Sequence, residues 1–122
     1  MKTEFIPYTE ALALKELGFD EWCYNVYEKD GRLCNTYEST RWQNENPELI
    51  TRAPLFQQAF RFFREKYEYI PHIFRNSTSG RYSWKIDDRY SYVDYTADIF
   101  NAYEEAELAC LVKLIEIVKN NE

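Results

Sequence analysis

The chain has 122 residues, 45% of them hydrophobic and 30% charged, with a net charge of -6. That length predicts one domain with a real core, a mean hydropathy of -0.65 argues against disorder, and the acidity disfavours general nucleic-acid binding. Eleven Tyr, eight Phe and three Trp stand against one His, three Cys and three Gly, so residues that build cores and interfaces abound while those that carry most neutral-pH chemistry are scarce.

The first residues carry no long apolar run, which predicts no signal peptide. A first helix is expected from Pro7 or Thr9 to Leu17, with Pro7 in its first turn, Thr9 as a cap and Gly18 as the stop. Trp22 to Glu38 reads as a hairpin turning at Asp30-Gly31. A two-residue turn there pairs Lys29 with Arg32, Tyr27 with Cys34 and Tyr24 with Tyr37. Cys23 and Cys34 then do not face each other, which argues against a disulfide.

Ser39 to Ala53 is polar and reads as a loop or short turn. Pro54 is expected to open a second helix, whose stripe is Leu55, Phe56, Ala59, Phe60, Phe63 and Tyr67 with Phe62 at its edge. Tyr69 to Arg75 reads as a strand and residues 76–80 as a loop. Arg81–Ile86 and Arg89–Tyr95 read as a second hairpin turning at Asp87-Asp88. The last helix carries a capping pair, Asn101 with Glu104, and the stripe Tyr103, Ala106, Cys110, Leu111, Leu114, Ile117 and Val118. The expected fold is a single α+β domain over residues 1–122, an antiparallel sheet of two hairpin regions packed with three helices in the order α-β-β-α-β-β-β-α.

No arrangement of residues marks a catalytic centre. Cys23, Cys34, Cys110 and His72 lack the short ligand spacing of zinc sites, and no cysteine stands beside a helix N-terminus or an oxyanion nest. Asp87-Asp88 is ordinary turn chemistry, and the isolated glycines make no phosphate loop. The expectation is therefore no enzyme, no metal, no cofactor and no small-molecule substrate. With no apolar run long enough to span a bilayer and an odd number of thiols, it is also no membrane and a reducing cytoplasm.

Charge is unevenly spread. Tyr69–Tyr92 holds four cations and two carboxylates, net +2, which leaves -8 on the remainder. A two-residue turn in the second hairpin would put Arg81, Ser83, Lys85, Tyr90, Tyr92 and Asp94 on one face, and Tyr82, Trp84, Ile86, Ser91, Val93 and Tyr95 on the core face. Cations interleaved with flat rings suit a protein or nucleic-acid partner, so Arg75, Arg81, Lys85, Arg89, Tyr90 and Tyr92 are the expected partner-binding residues. A plain solvated strand face explains the same pattern, and a register shift of one residue would exchange the two faces.

Three blocks, Phe5–Glu21, Ala53–Tyr67 and Tyr103–Lys119, together resemble a family of short proteins carried on prophages and mobile elements of Bacteroidetes-type bacteria. They cover the helices, roughly half of the chain. An anti-CRISPR inhibitor of the type VI-B CRISPR RNA-guided RNA nuclease is similar to this chain in size and character. That resemblance implies a protein that docks on the host effector nuclease, with or without its guide RNA, and prevents productive guide use. It carries no catalytic residues across. A prophage interaction or adaptor domain, and an RNA or single-strand binder, remain open beside it.

Overall fold

The structure, a computed structural model, describes residues 4–35 and 50–121, with Tyr92 described by its backbone alone. The class is α+β: among the described residues, three helices and two three-stranded antiparallel sheets. The chain forms two compact units, Met1–Gln58 and Ala59–Glu122.

The first unit holds α1 (Tyr8–Glu16), β1 (Asn25–Glu28), β2 (Leu33–Asn35) and β3 (Ile50–Ala53), with strand order β2-β1-β3. Pro7 occupies the N-cap of α1 without a side-chain cap bond, and Thr9 lies inside the helix rather than capping it. The stop is the expected one. Gly18 adopts φ +96, its N–H donates to Lys15 O at 3.1 Å, and the Phe19 N–H donates to Leu14 O at 3.0 Å. That bond pair is a Schellman closure, and the buried Phe19 and Leu14 supply its apolar contact. Tyr8 packs on Tyr27 with ring centroids 5.2 Å apart, and the Lys15 ammonium donates to Ile50 O at 2.7 Å, so α1 is pinned to both β1 and β3.

The first hairpin forms with a register one residue away from expectation. Glu28 N–H donates to Arg32 O at 2.9 Å, Gly31 N–H donates to Glu28 O at 2.8 Å, and Gly31 has φ +86. The loop is thus three residues long, a turn closed by a left-handed glycine. Val26 pairs with Cys34 and Tyr27 with Leu33, instead of Tyr27 with Cys34. Tyr37 lies outside the described residues. The expected loop Ser39–Ala53 is corrected at its end, because Ile50–Ala53 forms strand β3 against β1; residues 39–49 lie outside the described residues. Cys23, Cys34 and Cys110 are all free thiols.

Helix α2 (Phe56–Tyr67) starts two residues after Pro54, which instead offers its carbonyl to the Ile6 N–H at 3.0 Å. Gln58 Oε1 accepts from the Leu55 N–H at 3.0 Å, so a glutamine one turn in closes the helix start in place of proline. Phe56, Ala59, Phe60 and Phe63 are buried, and Phe62 at the edge of the stripe is buried with them.

In the second unit β4 (Ile70–Arg75), β5 (Tyr82–Asp87) and β6 (Tyr92–Tyr95) make a sheet in the order β4-β5-β6. Helix α3 (Tyr103–Asn120) packs against β5 and β4, burying Ala106, Cys110, Leu111, Leu114, Ile115 and Val118. Its N-cap is Ala102 and no side chain caps it, so the expected Asn101–Glu104 pair does not form.

Candidate binding face

The face of the β4-β5-β6 sheet follows from the pairing. Residues opposite one another share a face, so Ile73 with Trp84 and Pro71 with Ile86 form one side. Trp84 and Ile86 are buried, and this is the side that α3 covers. The other side carries Ile70, His72 and Phe74 of β4 and Ser83, Lys85 and Asp87 of β5.

Strand β6 departs from the expected register. Asp88 N–H donates to Ser91 O at 2.8 Å, and the Asp88 carboxylate accepts from the N–H groups of Tyr90 and Ser91, both at 2.8 Å. Those two backbone bonds hold the Asp88 carboxyl below its usual range. The turn therefore closes on Asp88–Ser91, not on Asp87-Asp88. Asp87 then pairs with Tyr92, Ile86 with Asp94 and Lys85 with Tyr95, with an irregularity between Ile86 and Asp87 that leaves Val93 extra. Beyond that irregularity the expected faces of β6 are exchanged, while Tyr92 stays opposite the outer-face residue Asp87. Asp94 joins the covered side, where its carboxylate lies 3.4 Å from Lys113 Nζ of α3. Tyr95, expected in the core, stands opposite Lys85 and is 63% exposed. The side chain of Tyr92 lies outside what is described.

The outer face has a polar centre and apolar flanks. His72 Nε2 sits 2.9 Å from Asp87 Oδ2, and Lys85 Nζ sits 3.4 Å from Asp87 Oδ1. The His72 ring stacks on Phe74 at 5.8 Å with 17° between planes. Phe74 is 47% and Ile70 40% exposed, and with Tyr95 they place several apolar side chains on one face of the sheet.

The six expected partner-binding residues do not form one cluster. Arg75 and the exposed Arg81 flank the β4–β5 loop, where Asn76 Nδ2 donates to Asp98 Oδ2 at 2.7 Å. Arg89 and Tyr90 lie in the β5–β6 turn, at the opposite end of β5, roughly 20 Å away by strand rise. Lys85 lies between, engaged by Asp87. Arg89 is bonded to Glu68 at 2.9 Å, while the Tyr90 ring is 86% exposed. The residues that join the two ends are His72, Phe74 and Tyr95, which the expected set omits. The alternation of Ile70, His72 and Phe74 within Tyr69–Arg75 is the signal that could have found the first two.

Among the described residues, no group of three or more His, Cys, Asp or Glu side chains could hold a metal ion, and no helix is long and apolar enough to cross a membrane. Cys23 and Cys110 are buried thiols, each pushed up to about 12 by desolvation. No protein-family model, curated protein or solved structure matches the chain.

Proposed function

We propose that the chain is a non-enzymatic inhibitor of bacterial antiviral defence that docks on a type VI-B CRISPR RNA-guided RNA nuclease in the host cytoplasm and prevents productive use of its guide RNA. The choice of target rests on the resemblance of the three helical blocks. The observation that supports a binding role is the outer face of the β4-β5-β6 sheet, where Ile70, Phe74 and Tyr95 stay exposed around the His72–Asp87–Lys85 centre. Each of these side chains keeps part of its apolar surface in water, and a partner that covers it can recover a fraction of the about 1.5–3 kcal/mol that full burial of such a side chain is worth. Binding of the purified chain to the effector, with and without guide RNA, tests the reading. Saturable binding to the effector supports it, and absence of binding to both forms rejects it.

A second reading, direct binding of single-stranded RNA, draws on the stacked His72–Phe74 pair beside Lys85. The Asp87 carboxylate, which engages both His72 and Lys85, weighs against phosphate at that spot. A salt titration separates the readings, because phosphate contacts make affinity fall steeply with salt.

A further inference from the structure

Among the described residues strand β4 is an edge strand, and the hydrogen-bond phase of the hairpin shows which of its backbone groups point outward. Asn76 N–H donates to Arg81 O at 2.8 Å, which makes Asn76 and Arg81 a hydrogen-bonded pair. Such pairs alternate along an antiparallel ladder, so Phe74–Ser83 and His72–Lys85 exchange bonds while Ile73 and Arg75 do not. On the far side of β5 the phase agrees, since Tyr82 exchanges bonds with Phe100, and the Trp84 carbonyl accepts from the Thr96 N–H. The N–H and C=O of Ile73 and Arg75, with the carbonyl of Pro71, therefore face away from β5. Proline at position 71 is compatible with this phase, because the N–H it lacks is not needed for the ladder. Among the described residues β4 is paired on one side only.

The charge along this hairpin is mainly positive. From Tyr69 to Ile86 the chain carries Arg75, Arg81 and Lys85 and no carboxylate. Asp87 balances Lys85, and Asp98 is held by Asn76 rather than by either arginine. Arg75 and Arg81, neither of them ion-paired among the described residues, outweigh the single Asp98 carboxylate and leave a net positive end where β4 finishes.

We propose that the β4 edge accepts an extended polypeptide segment bearing carboxylates, added as a fourth strand with its acidic side chains at the Arg75–Arg81 end. Main-chain bonds to Ile73 and Arg75 supply the ladder, Phe74 supplies an apolar contact on the outer face, and the two arginines choose an acidic segment over a basic one. This rests on the reading of the sheet as a protein-binding surface and names the mode of contact.

The test is amide hydrogen exchange on the full chain, with a short synthetic peptide alternating Glu and Val as probe and its Lys–Val counterpart as control. In the free protein the Ile73 and Arg75 amides exchange fast while those of His72 and Phe74 are protected. The acidic peptide slows Ile73 and Arg75 by about tenfold or more, and the basic peptide binds at least about tenfold more weakly, a difference of ~1.4 kcal/mol. The double variant Arg75→Glu, Arg81→Glu, both exposed positions, reverses the peptide preference while keeping the amide spectrum of the fold. Protection of Ile73 without peptide overturns the proposal; if that protection grows with protein concentration, the edge belongs to a second copy. Equal binding of the two peptides, binding that leaves Ile73 unprotected, or protection by single-stranded RNA but not by the acidic peptide also overturns it. No nuclease is used, so these outcomes are independent of whether the chain inhibits one.

Discussion

Asp94 of β6 lies 3.4 Å from Lys113 of α3, on the covered side of the sheet. Because neighbours along a strand point to opposite faces, this ion pair puts Tyr95 on the outer side, across from Lys85. Substituting the two aromatic residues then has unequal consequences. Tyr95→Ala is expected to change stability by no more than about 0.5 kcal/mol, as exposed positions do. Trp84→Ala, at a site 5% exposed, is expected to cost about 3–5 kcal/mol. Urea unfolding of both variants measures the difference, and comparable losses would contradict the assigned faces.

The contrast with the expected register shows what the sequence conveys and what it does not. The α3 stripe of Ala106, Cys110, Leu111, Leu114 and Val118 was legible because a long helix repeats its signal over several turns. Gly18 was legible because a left-handed helix stop requires it. Hairpin existence was legible at both places, but register was not. Asp30-Gly31 reads as a two-residue turn, yet Gly31 closes a three-residue one; Asp88 builds a longer turn from its own carboxylate. Each change moves the partner strand by residues the side-chain pattern cannot count. Strand β3 was missed because Ile50-Thr51-Arg52-Ala53 is only four residues long and its burial comes from both faces of the first sheet, not from local alternation. On the binding face the register displaced Tyr95 alone, which was expected in the core; Phe74 was legible from the β4 alternation but not included, and four of the expected residues lie at two separate strand ends because residues at opposite ends of a hairpin cannot cluster.

Tyr27 and Ile6 provide a stability test of the first unit. The Tyr27 hydroxyl donates to the carbonyl of buried Ile6 at 2.7 Å. Tyr27→Phe removes the donor and leaves that carbonyl without it, at a cost of about 1–3 kcal/mol. The measurement is the shift in denaturant midpoint, and an unchanged midpoint would show that the bond contributes nothing.

Glu107 gives the protein a pH dependence of definite sign. Burial, with a smaller push from Glu104, raises its carboxyl to about 7. A raised folded-state value means the native state holds a proton that the unfolded chain releases near its ordinary value of about 4.3. The associated stability is present below that value and is lost as pH rises through about 7. Glu107→Gln cannot titrate, so relative to the parent it gains stability between pH 4 and pH 8. Unfolding midpoints at the two pH values test this, and a parent–variant gap that stays constant or narrows would contradict it.

Thiol reactivity is expected to divide the cysteines. Cys23 and Cys110 are buried and pushed up to about 12, whereas Cys34 is half-buried and donates to Glu28 Oε1 at 3.7 Å. A disulfide-exchange reagent at mildly alkaline pH should modify Cys34 first in the native protein and all three after denaturation. Native modification of Cys110 at the rate of Cys34 would contradict its placement in the core.

Inhibition is the most direct test of the account. Target-RNA cleavage by a type VI-B effector is measured with the chain absent, with the chain at saturation, and with the double variant Phe74→Ala, Tyr95→Ala after its fold has been verified. The account predicts that the chain suppresses cleavage and that the variant is weakened by about thirtyfold or more, the loss of at least one anchor worth ~2 kcal/mol. Unchanged cleavage at saturating protein would contradict the inhibitory function, and full inhibition by the folded variant would contradict the outer sheet face as its surface.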